Sequence, residues 1–104
     1  MKLTNRKMAV EIKCNSAINI AKNDEGDVIK IVYENVEVKL FSYEKVKEIM
    51  FRVYNCYDGS YEHECAIEIV VDKGGDYVFT FPYSMRGIAL IAYDKLFKML
   101  QNFN

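Results

Sequence analysis

A persistent alternation of apolar and polar residues along the first half of the chain is the feature that most constrains its fold. In residues 9–14, Val10, Ile12 and Cys14 share one side of an extended chain, and two charged residues occupy the other. A period of two residues is the spacing of a β-strand with one buried and one solvated face. We predict antiparallel strands here and in three further segments with the same pattern: residues 17–20, 28–33 and 36–41.

Short polar segments separate these predicted strands. Residues 23–27 are polar and contain Gly26, a residue type that adopts a positive φ without steric cost. Glu34 and Asn35 lie between the next two strands. We predict a turn at each place, so that the first half of the chain folds back on itself.

Residues 42–57 fit either a helix or a strand. A helix would bury one stripe of apolar residues: Val46, Ile49, Met50 and Val53. It would also leave Phe51 in solvent, whereas a strand places this ring on the buried face with its apolar neighbours two residues away. We favour the strand, preceded by a short helical turn over residues 42–47. The alternative is an α+β fold with a helix at about residues 43–56 packed on an antiparallel sheet.

Asp58 and Gly59 follow this stretch and form a strong hairpin signal, because they lie between two segments rich in β-forming residues. A loop of three residues, 57–59, would fix the pairing of the two strands. It would bring charged residues together outside and apolar residues together inside. The expected pairs are Arg52 with Glu64, Phe51 with Cys65, and Ile49 with Ile67.

The remainder of the chain is predicted to form two strands and a helix. Residues 61–71 alternate like a strand, and residues 72–76 form a hairpin loop. The returning strand ends near Pro82. Ser84 caps a final helix that runs to about Gln101. One apolar stripe of this helix is expected to be buried: Ile88, Ala92, Leu96, Met99 and Leu100.

Seven strands followed by a C-terminal helix is an arrangement similar to the pleckstrin-homology-like superfold. Residues 40–49 (LFSYEKVKEI) resemble its strand–turn–strand junction, and residues 70–81 (VVDKGGDYVFTF) resemble its last hairpin. The resemblance implies a mainly antiparallel β-barrel with a C-terminal helix, in one domain over residues 1–104. It also implies an alternative function, the binding of lipid headgroups or small anionic ligands. The loops that correspond here are residues 15–16 and 23–27, and the second is acidic, so we expect no binding to anionic lipid.

Composition excludes several functions. The chain has 104 residues, too few for a second independent core. It has 14 Lys and Arg against 15 Asp and Glu, and this balance argues against a nucleic-acid binder or a polybasic membrane anchor. No apolar run approaches the roughly 20 residues of a membrane-spanning helix. The basic start of the sequence is not followed by the apolar core of a signal peptide, so we expect a cytoplasmic protein.

Candidate catalytic and metal-binding residues are few. Cys56, His63 and Cys65 could hold a metal together with Cys14, but no paired C-x2-C spacing supports this. His63 and Cys65 could form a catalytic pair in a small enzyme, but no oxyanion loop is recognisable beside them. Carboxylates in residues 23–27 lack the later Glu of a calcium loop. We therefore expect no metal, no cofactor and no catalysis, and we expect the three cysteines to be reduced core residues.

Tyrosine is the residue type that most indicates a function. Seven tyrosines exceed what a small core should hold, because each buried phenol needs a hydrogen-bond partner: Tyr43, Tyr54, Tyr57, Tyr61, Tyr77, Tyr83 and Tyr93. Tyr and Arg are also the residue types enriched at binding hot spots. We expect a partner-binding surface at the Asp58–Gly59 hairpin: Arg52, Tyr54, Tyr57, Asp58, Tyr61, Glu62, His63 and Glu64.

The resulting hypothesis is a small non-catalytic protein that acts by binding a protein partner. Its narrower form is a phage or mobile-element inhibitor of a host anti-phage defence complex. The small size of the chain suits this role, and so does its abundance of Lys, Asn, Ile and Glu, which is typical of an AT-rich genome. The sequence leaves the formation of homo-oligomers open. The lipid-binding module and the His63/Cys65 enzyme are the second and third hypotheses.

Overall fold

Two β-sheets and one long helix make up the part of the chain that the structure, a computed structural model, describes: residues 9–54, 64–73 and 75–103. The strands in chain order are β1 (Ala9–Lys13), β2 (Ile18–Lys22), β3 (Val28–Tyr33), β4 (Val36–Ser42), β5 (Val46–Tyr54), β6 (Glu64–Val71) and β7 (Gly75–Pro82), and the helix is α1 (Arg86–Phe103). Short 3-10 turns precede β5 and α1, at Tyr43–Lys45 and Tyr83–Met85.

The smaller sheet is the antiparallel meander β2-β3-β4, as its alternating sequence predicts. Glu34 and Asn35 connect β3 to β4 with φ values of 53° and 65°, the left-handed conformation of a two-residue hairpin turn. Gly26, at φ 78°, allows the turn between β2 and β3. Both predicted turns are confirmed.

The larger sheet has the order β1-β7-β6-β5. Its three later strands are antiparallel, but β1 pairs with β7 in parallel, with Ile12 opposite Phe79. β1 and β2 belong to different sheets, although their sequences read as one continuing alternation. The described strands form two separate sheets that are not closed into a barrel, so that part of the fold prediction is wrong. The physical reason is that a period of two assigns side chains to faces and does not choose the neighbouring strand.

Residues 46–54 form a strand, and the alternative helix at 43–56 is wrong. Ile49 and Phe51 pack against the core from the face of β5 that α1 covers. The centroid of the Phe51 ring lies 6.0 Å from that of Tyr93 on the helix. The 3-10 turn at Tyr43–Lys45 confirms the short helical turn expected before this strand.

The pairing of β5 with β6 differs from the prediction by two residues. Phe51 lies opposite Ile67, Ile49 opposite Ile69, and Arg52 opposite Ala66. A shift of two preserves the face of every side chain, so apolar residues still meet inside. The prediction assumed a three-residue loop, whereas Tyr54 pairs with Glu64 and residues 55–63, which lie outside the described residues, connect them.

Two details near the C-terminus also differ from prediction. The β6–β7 connection is shorter than expected, because Val71 already pairs with Gly75. Ser84 lies inside the 3-10 turn Tyr83–Met85, and α1 begins after it, at Arg86. Element ends such as these depend on local hydrogen bonding, which residue type alone does not fix.

The core lies between the two sheets and beneath α1. Its largest fully buried side chains are Phe79, Phe81, Ile29, Ile31, Ile67, Ile69, Leu96, Cys14 and Cys65. The helix contacts β2 in the smaller sheet and β5, β6 and β7 in the larger one, so it joins the two. Leu96 and Ala92 are buried as predicted, but Ile88, predicted to be in the buried stripe, is 43% exposed. Among the described residues, no helix is long and apolar enough to span a membrane.

Candidate protein-binding surface

The structure describes three of the eight residues predicted to bind a partner. Arg52 and Glu64 are described in full, and Tyr54 is described as the last residue of β5. The other five lie outside the described residues: Tyr57, Asp58, Tyr61, Glu62 and His63. The predicted hairpin surface as a whole therefore stays a prediction.

Arg52 lies on the face of β5 that points away from α1, and its charge partner differs from the predicted one. Its Nε lies 3.0 Å from Oε1 of Glu68, diagonally across from it on β6, and not beside Glu64. A terminal nitrogen of the same guanidinium lies 3.3 Å from the sulfur of Met50. The Arg52 side chain remains 49% exposed, so this ion pair leaves it accessible to a further partner.

Glu64 opens β6 and lines a cleft of about 510 Å³ at the N-terminal end of α1. Lys13 and residues 80–84 form much of the rest of the cleft wall. Beside it, Arg86 lies over the Tyr83 ring at 4.2 Å and donates a hydrogen bond of 3.1 Å to the Tyr83 carbonyl. Arg86 is therefore held at the start of the helix.

The two described cysteines are free and buried, as predicted. Burial raises the pKa of the Cys14 thiol to about 11, and the nearby charge of Glu34 adds to this. Burial also raises the pKa of Cys65, against a lowering effect of Arg86. Because a nucleophilic cysteine needs a lowered pKa and access to solvent, neither thiol suits catalysis. Cys56 lies outside the described residues.

The acidic turn between β2 and β3 is organised by Asn23. Its side-chain amide donates to Glu25 and Asp27, and its oxygen accepts from the backbone N–H groups of Asp27 and Val28. An Asn that bonds its own turn in this way is a local structural device. Across residues 9–54, 64–73 and 75–103, no three potential ligands cluster as they would around a metal ion.

The exposed side of α1 carries apolar residues that the sequence analysis did not single out. Leu90, Ile91 and Phe97 are 48%, 72% and 42% exposed. With Gly87, Asp94 and Lys98 they form one face of the helix, which we call the outer helix face. The sequence carries a signal for this face, because these three large apolar residues fall outside the predicted buried stripe.

Several features shape the outer helix face. Asp94 and Lys98 form an ion pair of 3.0 Å near its centre. On one side, the rings of Tyr93 and Phe97 stack with their centroids 6.2 Å apart. At Gly87 an added Cβ would meet no atom within 4 Å, so the first turn of the helix is open to close approach.

A groove of about 770 Å³ runs between β5 and the C-terminal half of α1. Its apolar lining comes from Tyr43, Val46, Ile49, Phe97 and Leu100, and four polar or charged residues complete it. β5 is hydrogen-bonded to β6 alone among the described strands, so its other edge opens into this region. We call this the β5–α1 groove.

No protein-family model, curated protein or solved structure matches this chain. The resemblance to the pleckstrin-homology-like superfold therefore stays a prediction.

Proposed function

We propose that this chain is a non-catalytic protein-binding domain that acts through the outer helix face. The observation that carries the proposal is the distribution of exposed apolar side chains. Of the nine large hydrophobic residues exposed in the described part of the chain, four lie on α1, and three of these belong to the outer helix face: Leu90, Ile91 and Phe97. Scattered exposed apolar residues are ordinary, whereas a contiguous patch is typical of an interaction surface.

The chemistry of the face indicates the kind of partner it accepts. Leu90, Ile91 and Phe97 follow helical spacing, which suits the apolar stripe of a partner helix. Gly87 leaves space for the backbone of such a helix to come close. The Asp94–Lys98 pair offers both charges and would orient a partner that carries complementary polar groups.

The buried cysteines support a role without catalysis, because their raised pKa values disfavour a reactive thiolate. The tyrosine-rich hairpin remains part of the proposal, since Arg52 and Glu64 stand at its base. The narrower role is that of an inhibitor from a phage or mobile element that binds a cytoplasmic host defence complex. That role requires a stoichiometric complex with a host protein.

Binding should be tested with variants of the outer helix face. We expect a tagged chain to retain a stoichiometric host partner, and Ile91→Ser or Leu90→Ser to lose it while circular dichroism stays unchanged. The matched control is Leu40→Ser. Leu40 is similarly exposed, at 46%, but lies on β4 in the smaller sheet and not on α1. Equal retention by the helix variants and the control, or no stoichiometric partner, would overturn the proposal.

A further inference from the structure

β5 is the longest of the described strands and lies at the edge of the larger sheet. It has nine residues, and its pairing with β6 is regular from Glu48 to Tyr54 after an irregularity at its start. No other described strand pairs with the edge away from β6, so its backbone N–H and C=O groups could pair with another strand. Natural proteins protect such edges with bulges, prolines, charged side chains or a covering segment. β5 has a bulge at its start, but residues 48–54 contain no proline, and their two charges, Glu48 and Arg52, are opposite in sign.

The sequence of β5 is complementary to itself in one antiparallel register. When two copies pair about Met50, Glu48 of each lies opposite Arg52 of the other, on the face away from α1. On the face toward α1, Ile49 lies opposite Phe51 of the other copy. Opposite charges and apolar pairs at directly opposed positions both stabilise a sheet.

Neighbouring registers lack this complementarity. Pairing about Ile49 sets Phe51 opposite Lys47 of the other copy, and pairing about Phe51 sets Met50 opposite Arg52. Registers centred between residues would place core-facing side chains opposite solvent-facing ones. The register about Met50 is therefore the one that matches both faces.

We propose that two copies of this chain form a symmetric dimer by antiparallel pairing of β5 with β5 about a twofold axis at Met50. The two four-stranded sheets then continue into one another. Arg52 can take part because its side chain is half exposed and a guanidinium carries five N–H donors, of which the bond to Glu68 uses one. The second copy would also cover the part of the β5–α1 groove that lies beside Ile49.

A charge-exchange experiment on the full chain tests the register. Sedimentation equilibrium of the wild-type chain should show a dimer. Glu48→Arg and Arg52→Glu should each weaken it, by roughly tenfold in Kd, because each substitution sets like charges opposite one another twice. An equimolar mixture of the two variants should recover dimers, since each chain then offers the charge that the other lacks.

Met50→Lys supplies a second test, because it brings two ammonium groups together at the twofold axis and should also weaken the dimer. Val36→Lys, on the edge strand of the smaller sheet, is the matched control and should dimerise like the wild-type chain. Circular dichroism of each variant identifies loss of folding. A monomeric wild-type chain, a dimer unaffected by Glu48→Arg and Met50→Lys, or a mixture that does not recover would overturn the proposal. The proposal would also be overturned if β5 were protected from hydrogen exchange only when a different protein is bound.

Discussion

Three of the described tyrosines take part in the packing of the fold: Tyr33, Tyr43 and Tyr77. Tyr33 accepts a hydrogen bond of 2.8 Å from the backbone of Asn15, and Tyr77 packs edge-on against Phe41 with Lys39 over its ring. Tyr43 is buried. These tyrosines belong to the packed fold, so the number of tyrosines overstates the surface left for a partner. A tyrosine at the edge of a core buries its ring and hydrogen-bonds through its hydroxyl group. In a small domain a large share of the core residues lie at such an edge.

Cys14 provides a prediction at the residue scale. Its pKa is raised by burial, and then by Glu34, from 9.0 to about 11. The unfolded thiol ionises near pH 9 and the folded one near pH 11, so the free energy of unfolding should fall as pH rises through this window. A pKa difference of about two units between the folded and unfolded chain corresponds to a loss of about 2–3 kcal/mol in the free energy of unfolding. Burial raises the pKa of Cys65 and Tyr43 in the same direction.

Urea unfolding of the wild-type chain and of Cys14→Ala between pH 8 and pH 11 checks this prediction. The variant should lose less stability across the window, because the other titrating groups are common to both proteins. Parallel curves would show that Cys14 ionises as readily in the folded chain as in the unfolded one.

At the scale of elements, β5 and α1 each have two faces with different roles. In β5, Ile49 and Phe51 pack on the core, while the opposite face carries Arg52 and its ion pair with Glu68. In α1, Leu96 and Ala92 are buried while Ile91 is exposed. Both elements therefore hold the fold together with one face and leave another accessible.

Phe51 and Val53 share the core-facing side of β5 but should differ in their effect on stability. Phe51 is partly buried against Tyr93, whereas Val53 is 48% exposed. Phe51→Ala should lower the free energy of unfolding by about 2 kcal/mol, from lost burial and an incomplete refilling of the space. Val53→Ala should change it by less than about 0.5 kcal/mol. Urea denaturation measures both free energies of unfolding. Comparable losses of stability in the two variants would mean that Val53 is packed in the core as Phe51 is.

At the scale of the whole molecule, α1 unites two sheets that no described strand pairing joins. The chain between β4 and β5 adds local ties on both sides, since Tyr43 N–H donates to Asp27 and Asp72 N–H donates to Lys45. In the proposed dimer, the twofold axis is perpendicular to the shared sheet, so both helices would lie on the same side. Two outer helix faces would then be offered to one large partner, which strengthens binding through avidity.

Leu96 tests the joining role of the helix. It is 1% exposed, and Leu96→Ala should cost about 2–5 kcal/mol, as large-to-small changes in cores do. Ile91→Ala, five residues earlier on the outer helix face, should change stability by less than about 0.5 kcal/mol. Calorimetry should show a single unfolding transition for both variants. Separate transitions in Leu96→Ala would indicate that the sheets are held together independently of α1.

Much of the fold could be predicted from residue patterns, and the errors share one cause. The seven strands, the turns at Gly26 and Asn35, and the C-terminal helix follow from local spacing. The offset between β5 and β6 was wrong by two residues, because an even shift leaves every face unchanged. Of the candidate surface, the sequence indicated Arg52 correctly as solvent-facing but not its partner Glu68 or the apolar residues of the outer helix face.

The sequence by itself determined which side of each strand is apolar, because side-chain direction in an extended chain depends only on counting residues along it. It favoured a strand around Phe51 but left a helix open, and the structure decided for the strand. Only the tertiary structure decided that β1 lies parallel to β7 and that the described sheets stay open. Those outcomes depend on which distant segments compete for the same apolar surface, and that competition involves the whole chain at once.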